Sequence, residues 1–193
     1  MESPQPEAPG VRSKAVDSAP RAAGPLYERA RVGVRFAIIV GVALALCGLA
    51  GHLIGWPVIS STLGPTAYVF AAHPDSEAAH WRNALLGHTV GLGAGLGALA
   101  AFGLWTRPGE ATIGFPTWAQ VGAASLAIAV TLVALELARS HHAPAGATSL
   151  LVATGLAAPG RPLDGLLVGL ALVLVLGPVI GRVLPSAAGS ASD

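Results

Sequence analysis

Charged side chains are scarce in this chain, and their scarcity argues against most classes of soluble protein. Asp, Glu, Lys and Arg together make up 11% of the 193 residues, whereas about 25% is usual for a soluble domain. Hydrophobic residues make up 53% of the chain, more than a soluble core of this size would use. The lipid bilayer is therefore the predicted solvent for most of the sequence.

Cysteine and the common catalytic motifs are also nearly absent. The single cysteine, Cys47, excludes an intramolecular disulfide and a cysteine metal cluster. The sequence contains no Walker lysine, no nucleophile elbow and no pair of catalytic carboxylates. We therefore predict that the protein is not an enzyme and that it holds no cofactor and no metal ion.

Long uncharged runs predict the membrane spans. Residues 36–74 and 83–106 contain no Asp, Glu, Lys or Arg, and one membrane helix needs about 20 apolar residues. Four spans are predicted, at about 34–55, 83–106, 117–137 and 163–184. Residues 1–32, rich in Pro, Ala and charge, are predicted to be a disordered cytoplasmic tail. The membrane domain is assigned to residues 33–185, and residues 186–193 form a second short tail.

Two apolar segments are too short to span a bilayer. They read SSTLGPTAYVFAA (residues 60–72) and PAGATSLLVATGLAA (residues 144–158). Irregular backbone at membrane depth is tolerated only where it is buried in protein or lines a cavity. We interpret each as a re-entrant or broken helical segment that enters and leaves on one side, with simple turns as the alternative.

The order of these elements repeats along the chain. At an offset of 82 residues, Gly64 corresponds to Gly146 and Thr66 corresponds to Thr148. The predicted fold is an all-α membrane protein of four transmembrane helices and two short broken segments, arranged as two parallel repeats at about 33–106 and 115–185. Transporters are often built from such repeats, and interrupted segments in matching positions mark the binding site.

Helix starts inside the membrane favour an anion as ligand. Pro144 suits a first helical position, and a helix N-terminus offers N–H groups and partial positive charge. Thr66 and Thr148 add hydroxyl donors, while Gly64 and Gly146 allow close approach of the backbone. The sequence thus predicts one anion site built from two halves.

Basic residues and histidines give the predicted orientation. With four spans, eight basic residues lie on the side of the termini and three lie opposite, which places both termini in the cytoplasm. All six histidines are then expected on the outer half, where they would gain charge as pH falls. Glu136 and Arg139 are three residues apart, so they form either an interfacial pair or a pair embedded in a polar cavity.

The second predicted span is rich in small residues. Its stretch GLGAGLGALAAFG (residues 91–103) has the small-xxx-small spacing that lets helices pack closely in lipid. We predict a helix-packing role for this face, within the chain or in a homo-oligomer.

Three motifs resemble those of the HPP family of small integral membrane proteins. Residues 142–148 read HAPAGAT against the family signature His-Pro-Pro-x-Gly-Ala-Thr, with Ala143 in place of the first proline. Residues 62–67 read TLGPTA and resemble a Ser-Phe-Gly-Ala-Ser/Thr-Ala stretch, and RNALLGH (residues 82–88) matches Arg-Asn-x-x-x-Gly-His. The resemblance covers residues 33–184 and implies four membrane spans. Some plastid and cyanobacterial members are associated with nitrite transport, so it also implies a small inorganic anion as substrate.

The function predicted from all of this is a membrane transporter or channel for a small inorganic anion, with nitrite as the substrate implied by the resemblance. The alternative is a non-transporting membrane scaffold or sensor that acts through its N-terminal tail. The predicted partners are the lipid bilayer and the anion, without nucleic acid, and the predicted location is a bacterial inner membrane. The predicted binding residues are Gly64, Thr66, Arg82, Asn83, His88, Arg139, His142, Pro144, Gly146 and Thr148.

Overall fold

Seven helices form the part of the chain that the computed structural model describes, residues 26–183. They are α1 (Leu26–Ile54), α2 (Leu63–Ala72), α3 (Trp81–Ala101), α4 (Glu110–Ile113), α5 (Trp118–Leu137), α6 (Pro144–Ala153) and α7 (Arg161–Val183). Helices α1, α3, α5 and α7 are long and apolar enough to cross a membrane, while α2 and α6 are shorter apolar helices. The prediction of an all-α protein with four spans and two short segments is confirmed.

The first helix begins earlier than the hydropathy pattern suggests. Residues 26–32 were expected in the disordered tail, but they form the first two turns of α1. This start is amphiphilic rather than apolar, and Arg31 lies 3.5 Å from Glu28 one turn away, a pairing that favours a helix over coil. The rest of the predicted N-terminal tail and the predicted C-terminal tail lie outside the described residues.

Local sequence explains where the other helices begin and why they need lipid. At the start of α5, the Gln120 backbone N–H donates to the Thr117 hydroxyl, and the Thr117 N–H donates to the Gln120 side chain; this is a capping box. Pro144 opens α6, where its missing N–H is not needed.

Large apolar side chains such as Leu53 and Val175 are more than 70% exposed, and a bilayer covers such a surface. The protein is an integral membrane protein.

One end of the molecule, here named the His142 end, brings together the connection 138–143, the loop 73–80, the end of α7 and the first half of α1. His142 itself donates to the Ala78 carbonyl, which joins the connection 138–143 to the loop 73–80 before α3. His80 of that loop and Gly177 of α7 line one shared pocket. The first half of α1 is at this end too, because Phe36 and Leu176 pack on the same small cluster.

The opposite end, here named the Gly109 end, holds the remaining connections. Gly109 lies against the backbone of Gly155, and the Glu110 N–H donates to the Thr154 carbonyl at 3.1 Å. The end of α3, the start of α5 and the start of α7 are therefore neighbours. The end of α1 also lies here, since Gly51 packs against Val58 and the Val58 carbonyl packs against α7.

The short segments cross the molecule instead of returning to the side from which they came. Helix α2 runs parallel to α7: Leu63 packs against Gly169 in the first half of α7, and Phe70 packs against Gly177 near its end. Residues 55–72 thus lead from the Gly109 end to the His142 end. Residues 144–160 lead back, because His142 and Thr154 lie at opposite ends. The expectation that each segment enters and leaves on one side is therefore not met, because each leads from one end of the molecule to the other.

The internal duplication is visible in matching contacts. Gly95 of α3 packs against Val152 of α6, and the positions 82 residues away from this pair, Gly177 and Phe70, pack against each other. Gly87 with Ala145 and Gly169 with Leu63 form a second related set. The two repeats run in opposite directions, however, because each contains three crossings and the second therefore starts from the other side. The predicted parallel arrangement is corrected to an inverted one.

The glycine-rich helix α3 uses one face within the chain. A Cβ on Gly95 would lie 2.8 Å from the Val152 Cβ, and a Cβ on Gly91 would collide with the Ala145 carbonyl oxygen. A Cβ on Gly93 or Gly97, in contrast, would meet no atom within 4 Å apart from the nearby backbone of α3 itself. The predicted packing face thus binds α6 of the same chain, and a homo-oligomer through α3 stays a prediction for the opposite face.

Candidate functional site

Five buried polar residues lie together where α2, α3 and α6 meet. Thr62 and Thr66 belong to the start of α2, His88 to α3, Thr148 to α6, and His142 to the connection before α6. Each is at most 2% exposed. His88 lies about 10 Å along α3 from its first residue, at the usual rise of about 1.5 Å per residue. We call these five residues the Thr–His network.

Short hydrogen bonds connect every member of the network. The Thr62 hydroxyl donates to the Pro144 carbonyl at 3.0 Å and lies 2.9 Å from the Thr148 hydroxyl. The Thr66 hydroxyl donates to the Thr62 carbonyl at 2.7 Å. On the imidazole side, His88 Nδ1 is 2.8 Å from the Thr148 hydroxyl, and His88 Nε2 is 3.1 Å from His142 Nε2.

One carbonyl fixes the tautomers of both neutral rings. The Ala78 carbonyl oxygen can only accept, so His142 Nδ1, at 2.8 Å, carries a proton and donates to it. A neutral His142 then accepts at Nε2, and His88 must donate from its own Nε2. His88 Nδ1 is left as an acceptor for the Thr148 hydroxyl. The network is therefore a directed chain of donors that ends at the Ala78 carbonyl.

Burial disfavours the charged form of His142. Desolvation lowers the pKa of His142, and its hydrogen bond to the Ala78 carbonyl opposes this effect only in part. The two rings stack edge to face with centroids 4.8 Å apart, so a charge on one would be close to the other. A buried polar group without a partner costs about 1–3 kcal/mol, which explains why each ring nitrogen has one.

The starts of α2 and α6 overlap side by side in the middle of the molecule. Thr62 immediately precedes α2, and its hydroxyl reaches both the first residue of α6 and Thr148 one turn further on. The expected free N–H groups of α6 are already used, since Ala145 and Gly146 donate to the carbonyls of His142 and Ala143. The helix dipoles therefore remain the main positive contribution of these two ends.

Half of the predicted binding residues meet at this place. Thr66, His88, His142 and Thr148 are network members, and Pro144 supplies an accepting carbonyl. Gly146 is buried two residues before Thr148 and lies against Ile128 of α5. The sequence did not identify Thr62, although it occupies the position 82 residues before Pro144, where the repeat would have located it.

The other predicted residues lie apart from the network. Gly64 has no neighbouring atom within 4 Å of where its Cβ would be. Arg82 is exposed and lies over the Trp81 ring at 5.5 Å. Asn83 donates to the Glu77 carbonyl at 2.9 Å, and its own carbonyl accepts from Ser140. These contacts hold the loop 73–80 and the connection 138–143 against the start of α3.

Arg139 has a separate location at the His142 end. Its φ of 50° is left-handed, an unusual conformation for a residue with a side chain. It lines an open polar pocket of about 340 Å³ together with Asp75, Glu77 and Asn83. Glu136 and Arg139 are both exposed, so neither is buried inside the protein. Among residues 26–179 no group of three His, Cys, Asp or Glu side chains is placed to hold a metal ion.

Comparison with known proteins supports the family expected from the three motifs. No curated protein and no solved structure matches the chain significantly. The model of the family described as HPP, transmembrane region, matches residues 27–188. These include the whole Thr–His network and the seven described helices apart from Leu26, the first residue of α1. The chain therefore belongs to the HPP transmembrane family.

Proposed function

We propose that this protein carries a small inorganic anion across the membrane and that the Thr–His network forms its central site. The observation that carries the proposal is the meeting of two half-length helix starts in the middle of an inverted repeat. In membrane transporters of this architecture, the ends of broken helices at the repeat interface bind the substrate. The N-terminal ends of α2 and α6 favour negative charge.

The chemistry of the network suits a small monovalent anion. Three hydroxyls, from Thr62, Thr66 and Thr148, can turn toward an acceptor, and the His88 N–H is a fourth donor. No Asp or Glu occurs in α2, α3 or α6 to repel an anion. Nitrite fits this description, and the family resemblance favours it over other anions of the same size.

An anion can reach this site only after helices move. The network residues are at most 2% exposed, so the arrangement described here is closed toward both ends. The contacts of α2 with α7 and of α6 with α3 are made over glycines, which leave smooth helix faces. We propose that these two contacts slide when the site opens, one toward each end of the molecule.

Flux into vesicles tests the proposal. Purified protein in liposomes should give saturable uptake of at least one anion among nitrite, nitrate, formate and chloride. Thr148→Val should reduce that uptake strongly. Thr89→Val is the matched control, because Thr89 is exposed and bonds only to the Leu85 carbonyl of its own helix. Uptake no higher than in protein-free vesicles, with folded protein present, would refute anion transport.

The N-terminal tail separates this function from the scaffold alternative. A chain that lacks residues 1–25 keeps every described helix and should keep its flux if the membrane domain is the functional part. Loss of a cellular phenotype with intact flux would instead favour a role that resides in the tail.

We also propose that the His142 end faces the cytoplasm of a bacterial cell. Among the described side chains, Arg29, Arg31, Arg35, Arg82 and Arg139 lie at that end, and Arg107 and Arg161 lie at the Gly109 end. Basic residues concentrate on the cytoplasmic side. The start of α1 and the end of α7 share the His142 end, so both termini would then be cytoplasmic. Five histidines lie on this side and only His52 lies near the other.

A further inference from the structure

The hydrogen bonds of the Thr–His network can be counted proton by proton. In the closed arrangement three donations go to backbone carbonyls, which cannot donate themselves. His142 Nδ1 donates to Ala78, Thr66 donates to Thr62, and Thr62 donates to Pro144. Only two protons of the neutral network then remain, one on His88 and one on the Thr148 hydroxyl.

These two protons must serve four further contacts. The His88 Nε2–H lies between His142 Nε2 at 3.1 Å and the Thr66 hydroxyl at 3.2 Å, so a single shared proton satisfies both. The Thr148 hydroxyl, however, faces His88 Nδ1 at 2.8 Å and the Thr62 hydroxyl at 2.9 Å. The neutral network thus has five protons for seven contacts, so besides His88 a second group, Thr62 or Thr148, must divide one proton between two acceptors.

A single added proton completes the set. Placed on His88 Nδ1, it is donated to the Thr148 oxygen, and Thr148 turns its own proton toward Thr62. Thr62 continues to donate to the Pro144 carbonyl, so no other bond changes. Each contact of the network then has a donor and an acceptor, and His88 is an imidazolium. The hydrogen-bond geometry therefore provides one site, His88 Nδ1, for one additional proton.

The surroundings do not compensate the charge that this proton brings. Among the described side chains, α2 contributes only the exposed Tyr68, α6 contributes no charged or titratable side chain, and α7 contributes Arg161 and Asp164 at the opposite end. The remaining charged or titratable groups near the pair are exposed, on α3, on α5 and in the two connections of the His142 end: Arg82, Glu136, Asp75, Glu77, His73, His80, Arg139 and His141. A buried charge without a partner is strongly unfavourable.

At this place an anion and a proton compensate each other's charge. The imidazolium alone is uncompensated and faces the positive ends of two helices, while the anion alone lacks a cation. When both are bound, the net charge of the site is nearly zero. We infer that the Thr–His network binds one proton with each monovalent anion, so that the protein is an electroneutral proton–anion symporter. This inference rests on the proposed function and specifies its coupling ion; no electron is transferred and no covalent bond other than N–H is formed.

Proteoliposomes that contain the full chain distinguish the possible couplings. Nitrate is the probe, because unlike nitrite its conjugate acid does not leak through lipid at moderate pH. An inward nitrate gradient should acidify the lumen, read by an internal pH dye, with about one proton per nitrate. An imposed inward proton gradient should speed uptake, and a potassium–valinomycin potential of either sign should leave the rate unchanged.

Each outcome decides between the two proposals. Nitrate uptake that follows the potential and ignores the proton gradient would overturn symport while leaving anion transport in place. Absence of uptake for nitrate and for every other anion of the panel would remove the proposed function itself. If nitrate is not carried but another anion of the panel is, the same measurement is made with that anion. Protein-free vesicles are the control in every case.

Two variants locate the proton. His88→Gln keeps hydrogen-bonding groups but cannot become a cation, so the response of uptake to the proton gradient should disappear. His80→Gln is the matched control, since His80 is exposed at the same end, and it should respond like the parent. If His88→Gln fails to fold, the pH dependence of anion binding to the parent protein still tests the inference. The anion affinity of the parent must rise about tenfold per unit fall in pH in the range where one proton is bound with the anion. An affinity independent of pH would overturn the inference.

Discussion

At the scale of single residues, the Thr148 hydroxyl is the branching point of the site. It lies within 2.9 Å of both the Thr62 hydroxyl and a ring nitrogen of His88. It is also 0% exposed, so water does not replace a lost partner. Its removal therefore interrupts the path between the imidazoles and α2, whereas a surface threonine such as Thr89 affects only its own helix.

The first prediction concerns this hydroxyl and its counterpart in the other repeat. Thr66→Val and Thr148→Val should each weaken anion binding by about 1–2 kcal/mol, or roughly 5- to 30-fold, because each removes one hydrogen-bonding group. The double variant should lose less than the sum, since both hydroxyls contact His88. Titration of binding in detergent, with folding checked by circular dichroism, measures all three. Loss in one single variant alone would show that the site is not shared.

The second prediction uses the buried imidazole of His142. Its pKa is lowered by burial, so between that value and about 6.5 the unfolded chain binds a proton that the folded chain does not. Without anion, stability should be complete above about pH 6.5 and should fall below it, by up to about 1.4 kcal/mol per pH unit. Thermal unfolding from pH 7.5 to 5 measures this. His142→Gln should flatten the slope, and His141→Gln, at an exposed position, should not.

The sequence identified part of this site for a physical reason. Thr66, His88 and Thr148 are polar residues in apolar segments, and such residues must find partners inside the protein. Pattern alone did not separate them from Arg82 and Asn83, which serve the loop contacts at the His142 end. A sequence motif shows which residues are close along the chain. Only the fold shows which of them form buried hydrogen bonds and which of them hold a loop.

At the scale of elements, glycine position decides which helices can touch. Gly91 and Gly95 let α3 approach the backbone of α6, and the equivalent Gly177 lets α7 approach Phe70 of α2. The sequence showed the spacing of these glycines but not their partner. Small-xxx-small spacing identifies a smooth helix face, and α3 has two such faces. Periodicity therefore does not specify which face packs against another helix of the same chain.

The third prediction compares these two faces. Gly91→Ala places a Cβ against the Ala145 backbone, where no side chain can move aside, so stability should fall by about 1–3 kcal/mol as in other overpacked contacts. Gly93→Ala, on the open face, should be neutral or slightly stabilising, by up to about 1 kcal/mol, because alanine favours helix. Thermal unfolding of both in one detergent gives the comparison. A larger loss for Gly93→Ala in the membrane would reveal an oligomer contact on that face.

At the scale of the whole molecule, the number of crossings distinguishes the fold from the one expected. Hydropathy counts helices of sufficient length, and it counted four correctly. It gave no weight to residues 55–62, which contain turns: the Val58 N–H donates to the Trp56 carbonyl, and the Leu63 N–H donates to the Ser60 carbonyl. Pro57 lies against Gly165 near the start of α7, and Phe70 of α2 lies against Gly177 near its end. Residues 55–72 thus lead from one end of α7 to the other, so the direction of every later helix differs from the one expected.

The fourth prediction tests this topology directly. In a Cys47→Ala background, cysteines at Tyr27 and Asp75 should react with an impermeant reagent from the same side of the membrane. A cysteine at Thr112 should react only from the other side. All three positions are exposed. Reaction of the Tyr27 and Asp75 variants from opposite sides would restore the re-entrant arrangement and with it the parallel repeat.

The two halves of the molecule match in backbone but not in chemistry. The position related to His142 is Ser60, whose buried hydroxyl has no hydrogen-bond partner among the described residues, and the position related to His88 is the apolar Leu170. Inverted repeats change access by exchanging the conformations of their halves. The exchanged state would place Ser60 and Leu170 where two imidazoles now bond, so it cannot form the same contacts. If the protein transports by this exchange, its two access states are unequal in energy, and one of them is the resting orientation.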